Sequence, residues 1–421
     1  MKSYNARTAV LLGVLVSGCM LQAEVLDRPQ GIKVGQRLTL RPYVSFDFTY
    51  DSNGDQQNDA ESETSWFINP HLDVNYKSDR FNADLGLFYG YRAYDSYSRQ
   101  LNGHDYGENL QLSWTSAGKN EKGWTVLLNE RYQRVSEDDN MQNNNGRGLW
   151  RQRGEFSIDG AVERRISEKL HASISGSYYY LDYDNDGQKY MNLYGWQRLT
   201  AGAEVGYAAS RWTDFLLAGS YQSYVQDNSH DLSHYSDLYG TRNRYARESD
   251  GYSVQAGLQS HATERISYRA LAGWSRFNYS RGESTSDGFI YSLSANWKIS
   301  DTWNTMLLAE SYYQPSETEY GSANRVDSIS WGLAHSMIRN KLNATFDVAY
   351  RRETCVYNDA STYDYDEDIF SFRLGLDYTI NRFLAIYARG EYQACLFDGD
   401  MGGVERDYDR FRVSVGFRLQ Y

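Results

Sequence analysis

The chain has 421 residues with 43 Lys+Arg against 55 Asp+Glu, a formal net charge of -12, and no basic patch stands out. That balance argues against nucleic acid as a partner. Aromatic residues make up 15%, Tyr alone supplies 38, Pro only 4, and mean hydropathy is -0.70. A polar average rich in large rings suits a wall that is apolar outside and wet inside, and scarce proline permits long strands.

Lys2 and Arg7 form a positive start, and Thr8 to Gly18 is an apolar stretch too short to span a bilayer. Two processing sites compete. Leu21-Gln22-Ala23 before Glu24 has the form of a signal-peptidase site, whereas Val16-Ser17-Gly18-Cys19 has the form of a lipobox that would lipidate Cys19. Barrels rarely carry lipid anchors, so cleavage after Ala23 is preferred. Either route exports the protein. The resulting division is a leader over 1–23, a short periplasmic segment over 24–37, and one domain over 38–421.

From Leu38 onward the pattern has a period of two. Leu38, Leu40, Val44, Phe46 and Phe48 share one face, and Arg41, Tyr43, Ser45 and Asp47 share the other. Ile68, Leu72, Val74 and Tyr76 then lie opposite His71, Asp73 and Asn75, and Phe81 to Tyr91 alternate with Asn82, Asp84 and Arg92. The same beat continues through Leu110/Leu112/Trp114, Leu170/Ala172/Ile174, Phe215/Leu217/Tyr221, Trp303/Leu307/Ala309/Tyr313 and Leu342/Ala344/Phe346 to the chain end. This predicts an all-β, transmembrane, antiparallel up-and-down β-barrel of about 18 strands, with 16 as second choice. No stretch after the leader is apolar enough for a membrane helix, so insertion must be as a barrel.

Connection lengths alternate. Short turns fall at Ser78 to Arg80, Arg164 to Glu168, Ala208 to Arg211, Ser300 to Thr302 and Ile380 to Arg382; long polar loops fall at Asp51 to Thr64, Asp182 to Tyr194 and Gln226 to Asp250. All short turns then share the periplasmic side, with long loops outside. Asp182 to Leu193 opens like a calcium loop, but Leu193 stands where a bidentate Glu is needed, so a solvated turn is expected. On the apolar rows, Tyr76, Trp124, Tyr207, Trp297, Trp303, Tyr378 and Tyr421 cluster near short turns, and Trp66, Tyr91, Tyr132, Tyr221, Tyr252, Trp274, Tyr313, Tyr350 and Tyr392 near long loops. Two aromatic girdles are expected.

The terminal strand runs from Phe411 to Tyr421 with every odd position apolar. Phe417, Leu419 and Tyr421 resemble the signal that the outer-membrane barrel assembly machinery reads, with Tyr where Phe is commoner.

The inward rows carry Arg41, Asp47, His71, Asp73, Asp84, Arg92, Arg131, Glu204, Arg269, Glu310, Asp347, Arg373, Asp377, Arg389, Glu391, Arg410, Arg412 and Arg418 as candidate lumen residues. Mixed charge suits a water-filled channel. The arginine-rich last strands favour anions if unpaired, or form a structural lattice if each Arg meets an acid on the next strand; the lattice is the expectation. Cys355 and Cys395 are the pair available for a disulfide in an oxidising compartment. No nucleophile, His and acid line up for catalysis, and no metal or cofactor is expected.

Leu40 to Asn53, with Arg41-Pro42-Tyr43 and Asp51-Ser52-Asn53, and Phe67-Ile68-Asn69-Pro70-His71-Leu72 resemble the beta-barrel porin families of Gram-negative bacteria. The resemblance implies a pore in the cell outer membrane, in contact with its lipid and lipopolysaccharide, and extends to a homotrimer. The function expected is passive diffusion of small polar solutes or ions through a water-filled lumen. The alternative is a plugged structural or interaction barrel, associated with polysaccharide export; about 18 strands weigh against it, since barrels of that size leave a lumen.

Overall fold

A strand in lipid has no water to bond its backbone, so it must be paired along both edges. The computed structural model meets that demand by closure. It describes residues 31–53, 62–95, 102–116, 123–136, 152–183, 196–226, 248–279, 285–315, 323–338, 341–356, 365–399 and 407–421. The leader with Cys19, most of the Gln226 to Asp250 loop and Asp184 to Leu193 lie outside these residues.

The strands are β1 (Ile32–Val34), β2 (Leu38–Asp51), β3 (Glu63–Lys77), β4 (Phe81–Tyr94), β5 (Gly103–Thr115) and β6 (Trp124–Ser136). They continue with β7 (Gln152–Arg165), β8 (Leu170–Tyr183), β9 (Trp196–Ala208), β10 (Thr213–Gln226), β11 (Glu248–Ser260), β12 (Ile266–Tyr279) and β13 (Thr285–Trp297). The last are β14 (Trp303–Pro315), β15 (Ala323–Met337), β16 (Leu342–Val356), β17 (Tyr365–Asn381), β18 (Leu384–Gly399) and β19 (Tyr408–Gln420). From β2 to β19 each strand pairs antiparallel with its sequence neighbours, and β19 returns to β2. The wall is therefore a closed barrel of 18 long strands.

The short segment over 24–37 contains a strand of its own. β19 covers β2 only from Tyr43 upward, with Tyr421 N–H donating to Pro42 C=O at 3.3 Å below the last register pair. Below that, Leu38 to Leu40 would be a bare edge. β1 folds back onto it, pairing Ile32 with Leu40 and Val34 with Leu38. Gly35, at φ 70°, begins the turn that makes this possible. Three residues carry too little periodicity to announce such a strand.

The alternation decides which row faces lipid. Phe417 lies opposite both Ile386 and Phe46, and Phe46 opposite Ile68, so one row stays apolar from strand to strand. Its members are exposed, Ile174 at 70% and Val254 at 61%, as side chains meant for lipid must be. Both girdles form on this face, with Trp124, Tyr207, Trp297 and Tyr421 low and Tyr252, Trp274 and Tyr392 high. Tyr313 is the exception: it is 8% exposed.

Six of the described short turns share one device. A Ser or Thr hydroxyl accepts from the backbone N–H three residues on, in Ser78–Phe81, Ser167–Leu170, Ser210–Thr213, Thr263–Ile266 and Ser300–Trp303, at 3.0 to 3.1 Å. Asn381 serves Leu384 in the same way at 3.1 Å. Such side chains satisfy a turn's orphan donor and reverse the chain in minimum length. In one turn Lys298 lies 3.1 Å from Asp301 and holds that exposed carboxyl below the usual carboxylate range.

Candidate functional site: the lumen wall

The register places every candidate lumen residue on an inward row, and strand curvature decides which of them meet. At the seam where the barrel closes, Asp51 accepts from Arg410 Nε at 2.8 Å and Arg412 Nε at 3.2 Å. Below this, Thr49 bonds Ser414 at 2.9 Å and Tyr387 donates to Asp47 at 2.6 Å. Arg373 donates to Glu391 at 2.7 Å on the next strand, and Asp347 lies opposite Arg373 on the other side. Arg389 lies over the Tyr387 ring at 5.2 Å. Asp377 sits between Asn343 and Tyr387 in the register, and Arg41 lies opposite Asp73.

His71 is packed as a ring. It stacks on Tyr43 at 4.4 Å with an 8° interplanar angle and on Phe88 at 5.8 Å, while Arg418 lies 5.9 Å over Tyr43. Around the wall, Arg92 meets Asp105 at 3.3 Å and Phe67 at 4.6 Å, Asn75 bonds Asp84, and Arg131 reaches Gln133 at 2.6 Å, which donates to Glu155. Glu310 accepts from Ser328.

One pair leaves the pattern of neighbour contacts. Glu204 on β9 and Arg269 on β12 form an ion pair across the inward faces of β10 and β11, with Nη1 also 3.4 Å from Gln259. Both are buried at 7%. This chord fills part of the lumen and cannot be read from the sequence, because the two residues touch only if the wall curves between them. Near the outer end, Leu181, Trp196 and Tyr224 form a buried cluster with Tyr179, and Arg198 lies 5.6 Å over Trp196.

Asp51 is the functional residue that pattern reading misses. Asp51-Ser52-Asn53-Gly54 has turn composition and suggests a loop, yet Asp51 continues the inward odd row of Arg41 to Thr49. Extending that parity by one step would find it.

Cys355 and Cys395, the pair available for a disulfide, stand on different strands. Cys355 is on β16 opposite Asn324 in the register, and Cys395, on an inward row of β18, is opposite Ile369 and Tyr408. β17 separates them, which puts two interstrand spacings, about 9.6 Å, between strand axes, against a bridging limit of about 7 Å between Cα atoms. The Cys395 thiol instead donates to Glu367 at 3.1 Å.

The charge is unevenly spread. On the arc from β16 through β19 to β4, arginines and carboxylates interleave as described. On the arc from β10 to β15 the inward rows are rich in Ser, Gly, Gln and Asn, with Asp214, Arg269 and Glu310 as the charges. Among the described residues, no three His, Cys, Asp or Glu side chains converge to hold a metal ion.

A closed barrel with a lipid-facing apolar belt, two aromatic girdles and a polar interior is an outer-membrane β-barrel. The model of the family described as "Putative beta-barrel porin 2" matches residues 28–421, and the chain belongs to that family. It is thus a porin-family barrel of the cell outer membrane, in contact with membrane lipid outside and small solutes inside. Solved structures similar to it include Pseudomonas aeruginosa OpdK with vanillate, 13% identical over 91% of this chain and 99% of that one, TM-score 0.45. Pseudomonas aeruginosa OpdQ is 10% identical with the same coverages and TM-score 0.45. The FrpB iron transporter of Neisseria meningitidis is 9% identical over 94% and 83%, TM-score 0.45. No curated protein sequence matches the chain.

Proposed function

We propose that the lumen passes small polar solutes by passive diffusion with little preference for the sign of charge, and that the chain has no catalytic role. The observation that carries this is the interleaving of acids with the arginines of that arc: Asp51 serves Arg410 and Arg412, Glu391 serves Arg373, and Asp347 lies opposite Arg373 on its other side. Charges that balance each other along one wall leave a polar surface without a strong net field. The Ser- and Gln-rich arc adds neutral hydrogen-bonding groups, and 18 strands are enough to leave an aqueous path. Planar-bilayer recording of folded protein is expected to give stepwise conductance and a reversal potential near zero in a potassium chloride gradient. Absence of steps would refute the channel. The Glu204–Arg269 chord favours, as second reading, a lumen closed by its own side chains; liposomes that fail to swell in small sugars would support it.

The finer assignments rest on sequence pattern. We place the mature start at Glu24, with lipidation of Cys19 as the alternative; intact mass of envelope-purified protein separates the two. Phe417, Leu419 and Tyr421 are assigned to recognition by the barrel assembly machinery. A homotrimer is the assembly proposed, to be read from the mass of unboiled protein.

A further inference from the structure

The chain is acidic overall, with a formal net charge of -12, but the two ends of the wall carry charge of different sign. The tip of the β5–β6 turn lies outside the described residues. Each of the other seven short turns between long strands carries an exposed Lys or Arg, from Arg80 after β3 round to Arg382 before β18. The same turns hold four acids, Asp79, Glu168, Glu264 and Asp301. One cation for every two strands makes a ring on the periplasmic rim.

Three guanidiniums of this rim lie on aromatic rings at the level of the inner girdle. Arg211 stands over Trp212 at 4.4 Å, Arg382 over Phe383 at 4.4 Å, and Arg164, at the foot of β7, over Trp124 at 4.7 Å. All three rings are exposed, and Phe383 lies 6.3 Å from Tyr421, the last girdle residue. A cation over an aromatic face is held by the ring's quadrupole. Girdle rings sit at headgroup depth, so the contact fixes each guanidinium at that depth. Among the described residues no carboxylate pairs with Arg164, Arg211 or Arg382, so their donors are available to a group outside the chain.

The outer rim is built the opposite way. There the outward rings meet carboxylates: Tyr221 donates to Asp250 at 2.7 Å, Tyr350 to Asp368 at 2.6 Å and Tyr392 to Asp409 at 2.7 Å. Three outward arginines of that rim stand beside acids of the wall. Arg325 pairs with Asp327 at 3.0 Å, Arg352 pairs with Asp366, and Arg276 lies opposite Asp287 in the register. A phosphate on the lipid side therefore meets unpaired guanidinium at the short-turn end and carboxylate at the long-loop end.

We propose that the short-turn rim is a binding collar for the headgroups of anionic phospholipids, in which Arg164, Arg211 and Arg382 donate to the phosphate. The occupant follows from place and charge. The arginines stand where a bilayer presents its headgroups, and a planar guanidinium fork matches phosphate geometry. The excess of cations over acids favours a lipid of net negative charge over a zwitterionic one, since each Lys or Arg near a membrane surface attracts anionic lipid. The inference needs only the barrel's place in the membrane and holds whether or not the lumen conducts.

The test uses the full chain folded into phosphatidylcholine vesicles that carry a trace of spin-labelled phosphatidylglycerol or spin-labelled phosphatidylcholine. Electron spin resonance separates label held at the barrel surface from label in free bilayer, which gives the relative association of each lipid. Phosphatidylglycerol is expected to associate about threefold more strongly: a factor of roughly five at each rim site, diluted by the uncharged remainder of the boundary. Arg164→Gln with Arg211→Gln and Arg382→Gln is expected to bring the ratio close to one, with folding checked by the gel migration of unboiled protein. If that set fails to fold, Arg382→Gln alone, in a turn, is expected to give a partial fall. The matched set Arg276→Gln, Arg325→Gln and Arg352→Gln removes the same charge from the outer rim and is expected to leave the ratio unchanged. Equal association of the two labels with the wild type overturns the collar. So does an equal loss from the outer-rim set, which would assign the selectivity to net charge alone.

Discussion

Asp51→Ala is expected to destabilise the barrel by about 3–5 kcal/mol, the cost of removing its carboxylate from the buried Arg410. Arg410 is 4% exposed at its side chain and Asp51 10%, so solvent cannot replace the lost partner. The position multiplies the effect. Asp51 sits at the top of β2, where nine register pairs to β19 close the whole ring. Both Arg410 and Arg412 would repel across that joint once the carboxylate is gone. The measurement is the urea midpoint for folding into lipid vesicles, read as the shift in gel migration between boiled and unboiled protein. Asp51→Asn is expected to recover part of the loss by keeping an acceptor. An unchanged midpoint for Asp51→Ala would show that the cluster does not hold the seam.

Arg269→Ala is the second large expectation, with two readouts that move in opposite directions. It leaves Glu204 buried and unpaired, again at about 3–5 kcal/mol. It also removes the chord over β10 and β11, so single-channel conductance is expected to rise. The double replacement Glu204→Leu with Arg269→Met restores an uncharged interior of similar volume. Its stability is expected to return to within about 1 kcal/mol of wild type or above it, because buried ion pairs seldom outperform apolar packing. A conductance that stays constant through all three variants would place the chord away from the conducting path.

Most of the wall is legible in the sequence because lipid and water impose opposite demands on alternate residues. Ile174 and Val254 can point only outward and Arg410 only inward, so strand number, row assignment and the side of the short turns follow from period two. The serines at Ser78, Ser167, Ser210 and Ser300 mark the turns for the same local reason: each satisfies a donor three residues away.

What fails to appear is whatever depends on two strands meeting, or not meeting. Tyr313 reads as a girdle residue because its row says so, and it is buried with its hydroxyl donating to the Asp287 carbonyl of β13 and its ring against Phe277. The Cys355–Cys395 bridge looks open in the sequence and is separated by β17. Asp51 looks like a loop residue until Arg410 arrives from the far end of the chain.

Alternation along single strands therefore determined, without any partner, that this chain makes an outer-membrane barrel with a polar interior. Only the closed ring decided which charges cancel, where the lumen is crossed and which girdle ring is buried. The physical reason is range: side-chain direction is a property of one residue and its neighbours in sequence, whereas ion pairs and interstrand ladders are properties of residues brought together by curvature and register.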